Sequence, residues 1–323
     1  MGHQQKKLLN AKDNILYRPA LMAQIYSTGT YHRTVPIDLM KEFTICESFS
    51  RANTEYCVAL ERPAAYGSII GDFLIRQGLL RQGASIVEIG GGYGSLMNAF
   101  LSAHAEMVKR VVMVDLSEGL LRRQKKTLER WHDKVRFVRA DIHELAGSIR
   151  GADLIIMNEV IGDLDTMIDI DPEDLPHQVR RLVDSYGLGI PSQGCFNLNI
   201  GAIKLIETIC SKGIPIFLTE HSSDPIIPQD MDFLSKGLDL DSYPRRIDLF
   251  KHCEYTIRFS HLIQAAHALG RKTETGALLD LINIRKSPAL NMIFTSRACS
   301  TDYQEIMFEL LDHIREYRWL LIN

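Results

Sequence analysis

The chemistry of this chain gathers where its apolar runs end. Ser85-Ile86-Val87-Glu88-Ile89 leads into Gly90-Gly91-Gly92-Tyr93-Gly94, and a helical pattern of Leu96, Ala99 and Phe100 follows. That order describes a buried strand, a tight turn and a helix start. So sharp a turn favours residues without a Cβ, and the first amides of the helix then face a polar or anionic group. Glu88, two positions before the first glycine, can meet a cationic ligand or hold the loop amides, and it would repel a pyrophosphate. The spacing Gly90-x-Gly92-x-Gly94 also departs from the dinucleotide fingerprint, because Ser95 stands where its third glycine belongs.

Further strand tips carry acids in the same manner. Arg110 to Asp115 is an apolar strand ending in a carboxylate, placed where both hydroxyls of an adenosine ribose would be accepted, with Leu116 beside it. Asp115 also fits a helix cap shared with Ser117. Val135 to Asp141 alternates into another strand, which puts Asp141 at an adenine amino group and Ile142 at its ring. A cap for a helix over 142–146 is the structural alternative. Ala152 to Val160 is the fourth strand, and Asn158, Glu159, Asp163 and Asp165 follow at its C-terminal end. Ligands in open parallel sheets bind off those ends, so this acidic segment is either the substrate contact or a solvated loop.

The elements that must hold these tips alternate in a repeated rhythm. Residues 1–80 are expected to form a helical extension, with helices over Asn14–Tyr26 and Ala64–Leu80 and a polar-aromatic loop, Tyr26–Arg33, that is either plain surface or a lid. Residues 81–323 are expected to form the ligand-binding domain, with pocket-building insertions near 161–200 and 222–255. Helices are expected over 117–132, 201–211, 260–269 and 301–320, and further strands over 215–220, 271–275 and 291–295. The fold class is therefore α/β, doubly wound around a mostly parallel, seven-stranded, Rossmann-like sheet.

Composition narrows the function classes. The chain has 323 residues, net charge −3 and 46% hydrophobic residues, which suits an enzyme-sized globular protein. No run approaches the ~20 apolar residues that span a bilayer, and the start lacks a signal sequence, so a cytoplasmic location is expected. The six cysteines are scattered and read as reduced thiols. The basic run Arg122-Arg123-Gln124-Lys125-Lys126 lies on an amphipathic helix and is taken as its solvated face, which disfavours a nucleic-acid partner. Eleven histidines show no ligand spacing along the chain, so no metal is expected, although His221 after the fifth strand could border the pocket.

Residues 84–160 resemble the class I S-adenosylmethionine (SAM) methyltransferases, through Glu88-Ile-Gly90-Gly-Gly92-Tyr-Gly94, Asp115, Asp141 and Asn158-Glu159. Within that superfamily the chain is most similar to the MidA-like branch, which includes mitochondrial complex I assembly methyltransferases. Glu88 to Met97, Asn158-Glu159 and Tyr255-Thr-Ile-Arg-Phe-Ser-His-Leu carry that similarity. Gly91 replaces a usual proline, Tyr93 a usual arginine, and the acid after Asn158-Glu159 is shifted by one position to Asp163. The resemblance implies SAM as cofactor, bound by Glu88, Gly90, Gly92, Gly94, Asp115, Leu116, Asp141, Ile142 and Asn158. It also implies a protein or small-molecule acceptor methylated on nitrogen or oxygen. A sulfonium methyl is already activated, so positioning supplies most of the catalysis, with Glu159 orienting the acceptor and Asp163 assisting. An oxygen or amine acceptor needs a base, for which Glu159 or His221 could serve. A SAM-binding partner or assembly protein is the alternative from another class, and a homo-oligomer is compatible with either.

Overall fold

The computed structural model describes residues 23–323. Seven strands build the central sheet: β1 (Ala84–Ile89), β2 (Val108–Asp115), β3 (Val135–Arg139), β4 (Leu154–Asn158), β5 (Ile216–His221), β6 (Thr273–Ala277) and β7 (Tyr317–Ile322). Their spatial order is β6-β7-β5-β4-β1-β2-β3. The pairs among β1 to β5 are parallel, whereas β7 is antiparallel to both of its neighbours. The winding reverses between β1 and β4, which leaves a crevice off their carboxyl ends.

Both faces of the sheet are covered, which is why its central strands are mostly apolar. Ile86, Ile156 and Phe217 join Tyr66, Phe100 and Leu311 in a core on one face. Their sequence neighbours Val87, Ile155 and Leu218 join Ile203, Leu262 and Phe259 on the other. The helices that position the site are α1 (Gly29–Thr34), α2 (Ile45–Ser48), α3 (Tyr66–Arg76), α4 (Ser95–His104), α5 (Glu118–Thr127) and α6 (Ile142–Ala146). Helix α3 lies so close to α4 that a Cβ on Gly67 would stand 2.0 Å from the Leu96 carbonyl oxygen and 2.6 Å from the Phe100 nitrogen. Both atoms are backbone and cannot step aside. Gly67→Ala is expected to separate the helices and cost roughly 1–3 kcal/mol, as overpacking does, read as a lowered thermal midpoint.

Several expectations are corrected. Asn291–Thr295 is not a strand but lies within a helix, Pro288–Ser296, opened by the proline. The helix expected over 301–320 stops at Ile314, and Tyr317–Ile322 becomes β7 between β5 and β6. A strand buried on both faces lacks the alternation that marks a half-exposed one, so its period is not told from that of a buried helix. Of the first expected helix, residues up to Met22 lie outside the described residues, while Gln24–Tyr26 is a strand paired antiparallel with Thr166–Ile170. Phe196–Leu198 completes that small sheet, so the insertion near 161–200 and the N-terminal segment form one unit. The segment Tyr26–Arg33, expected as a loop, contains most of α1. Within 222–255 a hairpin pairs Arg246–Asp248 with Cys253–Tyr255. Among the described residues, no helix is long and apolar enough to cross a membrane.

Candidate functional site

The strand tips converge on one cavity. Glu88, Gly90 and Gly92 from the end of β1, Asp115 and Leu116 from β2, and Asp141 and Ile142 after β3 line it. Asn158, Glu159 and Asp163, at the end of β4 and just beyond it, line it too. Gly94 does not. It caps α4 in the left-handed region with φ 86°, packed against Gln124 and Leu128. Gly90 needs its missing side chain for a different reason. Its φ is 67°, and a Cβ there would sit 2.3 Å from Cγ2 of Val160.

Asp115 is held ready at the tip of β2. Its Oδ1 accepts the Ser117 amide at 2.8 Å and its Oδ2 accepts Nε2 of Gln124 at 2.8 Å. A carboxylate has about four lone-pair sites, so one site on each oxygen stays free for a ligand. Burial pushes the Asp115 carboxyl up to about 6, against the pull of those two donors. Gln124 also donates to the Gly92 carbonyl at 3.1 Å, joining the acid to the glycine turn. It is fully buried, so the basic run around it is not solvated at its centre. The helix-cap reading of this region also applies, since Ser117 caps α5 by accepting the Leu120 amide.

Glu88 is 1% exposed and its Oε2 has no hydrogen-bond partner among the described residues. Burial pushes its carboxyl up to about 8, and the nearby charge of Asp115 adds to the shift. Asp141 caps α6 by accepting the His143 amide at 3.0 Å, and its other oxygen pairs with Arg33 of α1 at 2.8 Å. Tyr93 fixes the same N-terminal segment. Its hydroxyl accepts the Leu39 amide at 2.8 Å and donates to Asp38 at 3.1 Å.

Glu159 is placed differently from its expected role. Its φ is 49°, a left-handed conformation that costs a non-glycine residue roughly 1–3 kcal/mol. Both oxygens accept the Ile45 amide of α2, at 3.1 and 3.0 Å. Oε1 also accepts the Tyr317 hydroxyl at 3.1 Å, and Oε2 accepts Nδ2 of Asn158 at 3.0 Å. Those three donors, one of them shared between the two oxygens, occupy most of its roughly four lone-pair sites. Burial nevertheless outweighs the donors and pushes the carboxyl up to about 7. Asn158 is locked in turn, since its Oδ1 accepts the Thr219 hydroxyl.

His221 does not border the cavity. Its Nε2 meets Glu316 at 2.6 Å, its ring stacks on Tyr317, and Arg245 shares the same Glu316 carboxylate. The structure instead brings His32 of α1 to the cavity wall, with Nε2 2.9 Å from Oδ1 of Asp163. No spacing along the chain could show that pairing, because the two residues belong to unrelated segments.

Residues 70–166 match a family model described as "Putative S-adenosyl-L-methionine-dependent methyltransferase". The matched span runs from within α3 to the start of the strand that follows Asp163, and it holds every strand-tip acid of the crevice. Among solved structures, the chain is similar to a Burkholderia thailandensis protein bound to S-adenosyl-homocysteine. The two are 15% identical with a TM-score of 0.52, over 93% of this chain and 88% of that one. A native crystal structure from Burkholderia thailandensis matches at 15% identity and TM-score 0.52, over 93% and 87% of the two chains. No curated protein matches. At this identity the likeness is one of fold, and the fold is the Rossmann-like methyltransferase fold.

Proposed function

We propose that the protein is a SAM-dependent methyltransferase whose cofactor lies in the crevice between the tips of β1, β2 and β4. The observation that carries this reading is the convergence of Glu88, Asp115 and Asp141 around the glycine turn. Each acid then has a task. The free lone pairs of Asp115 accept the two ribose hydroxyls. Asp141 and Ile142 receive the adenine, with Leu116 on the ring face. The amides after Gly90 and Gly92 meet the carboxylate of the amino-acid tail, and Glu88 faces its ammonium. That a Burkholderia thailandensis protein of this fold binds S-adenosyl-homocysteine is in keeping with the assignment.

The direct acceptor role expected of Glu159 passes to Asp163. Glu159 spends its acceptor sites on α2, β7 and Asn158, so it acts by holding α2 over the crevice. Asp163 lines the cavity beside His32, where a carboxylate can orient an amine, a guanidinium or a hydroxyl for in-line attack. The Arg33–Asp141 pair and the Tyr93–Asp38 contact close the N-terminal segment over the adenosine.

Incubation with methyl-labelled SAM and fractionated protein and small-molecule extracts tests the reading. Transfer of label, with equimolar S-adenosylhomocysteine released, is the expected result. Tight SAM binding without transfer to either fraction would favour the partner-protein alternative. Gln124→Leu is expected to weaken SAM binding by several-fold, less than loss of Asp115 itself, because it releases the acid rather than removing it. Calorimetry of the two variants side by side checks that ranking.

A further inference from the structure

His32, Asp163 and His252 come from three distant segments and meet at one point. His32 lies on α1, Asp163 on the turn after β4, and His252 in the bend between strands 246–248 and 253–255. One nitrogen from each histidine and one oxygen from the aspartate lie within 4.8 Å of one another. His32 Nε2 stands 2.9 Å and His252 Nε2 3.8 Å from the same Oδ1 of Asp163. All three side chains are largely withdrawn from solvent, at 17%, 19% and 7% exposure for His32, Asp163 and His252.

His32 Nε2 and Asp163 Oδ1 are both buried, and among the described residues neither finds a hydrogen-bond partner outside this cluster. The rings are also braced. Tyr31 stacks on His252 with centroids 4.3 Å apart, and the two imidazoles meet edge to face at 5.7 Å. The Thr28 hydroxyl donates to the Asp163 carbonyl at 2.7 Å, fixing the turn that presents the acid.

We propose that His32, Asp163 and His252 bind a divalent first-row metal ion, zinc being the best match. The ion ties α1 to the turn after β4 and leaves a coordination position open to the cavity. Two imidazoles and one carboxylate are a donor set suited to zinc, and three protein ligands leave a fourth position for water or an oxygen of the acceptor. His32 and Asp163 line the cavity, so that position faces the place where an acceptor would sit. The site is independent of the adenosine contacts and stands or falls apart from them.

Chelator-treated full-length protein is titrated with Zn²⁺ by calorimetry and with Co²⁺ by absorption, and SAM is titrated into the same metal-free sample. Expected are one ion per chain, the visible bands of low-coordinate Co²⁺, and X-ray absorption of the zinc form showing two imidazoles and no sulfur. Asp163→Asn and His252→Ala are each expected to weaken zinc binding by more than the roughly 10- to 100-fold that loss of an outer hydrogen-bond partner costs. His267→Ala, altering an exposed histidine bonded to Thr273, should change nothing. Absence of saturable one-to-one binding, a sulfur-containing shell around the metal, or full affinity in both variants would overturn the site. Should the variants fail to fold, the absorption spectrum of the wild-type protein decides by its imidazole count. SAM binding in the metal-free sample reports on the methyltransferase reading separately.

Discussion

Asp115→Ala is expected to weaken SAM binding by about 10- to 100-fold or more. A hydrogen bond to a charged group is worth roughly 1.5–3 kcal/mol, and each 1.4 kcal/mol is a factor of about ten. In the proposed binding mode the variant removes the acceptor of both ribose hydroxyls at once. It also frees Gln124, whose amide bridges Asp115 to the Gly92 carbonyl, so the glycine turn loses a brace in the same step. Neither effect touches the hydrophobic cores, and the fold should survive. Calorimetric titration of SAM into the variant, with circular dichroism to confirm folding, checks the result. Unchanged affinity would remove Asp115 from the cofactor site.

The second large effect concerns Glu88 and pH. Its carboxyl is pushed up to about 8 by burial, and Glu159 stands at about 7 for the same reason. The native protein therefore holds protons that the unfolded chain releases near the ordinary carboxyl range. Where the native state binds more protons, stability falls as pH rises. The ligand-free protein should accordingly be most stable near pH 5 and lose stability between pH 5 and 8. A tenfold difference in proton affinity between the native and unfolded chain is worth about 1.4 kcal/mol, so Glu88 alone contributes on the order of a few kcal/mol to that loss. Glu88→Gln keeps the shape and cannot ionise, so its thermal midpoint at pH 8 should exceed that of the wild type and its pH slope should be shallower. The variant should also bind SAM more weakly, because the ammonium loses its counter-charge. In the wild type that ammonium favours the ionised acid, and SAM binding at pH 7 should release up to one proton. Titrations in two buffers of different ionisation heat read that release, and an unaltered pH slope in Glu88→Gln would refute the assignment.

Much of the site was legible because an acid closing a strand pattern marks a strand tip. Asp115 and Glu159 follow apolar stretches, Asp141 follows an alternating strand, and the glycine turn fixes which strand is central. The sheet was less so. Tyr317–Ile322 is largely buried on both faces, carries Arg318 paired with Asp224, and follows directly on an amphipathic helix, so its pattern does not separate strand from helix. Asn291–Thr295 has β-forming residues, but Pro288 starts a helix and packing against the terminal helix decides the outcome. Gln124 was hidden in a basic run, because one buried position among charged neighbours is invisible to composition. The direction of Glu159 depends on a φ of 49°, which sequence does not specify for a glutamate. His32, Asp163 and His252 are separated by whole elements, and only the folded chain makes them neighbours.

The most direct measurement of the central claim is a calorimetric titration of the wild-type protein with S-adenosylhomocysteine, run beside one with NAD. A cofactor crevice built from these strand tips predicts saturable one-to-one binding of S-adenosylhomocysteine, displaced by SAM, and no heat from NAD. Folded protein that binds NAD in its place, or that gives no heat with either adenosyl ligand, would contradict it.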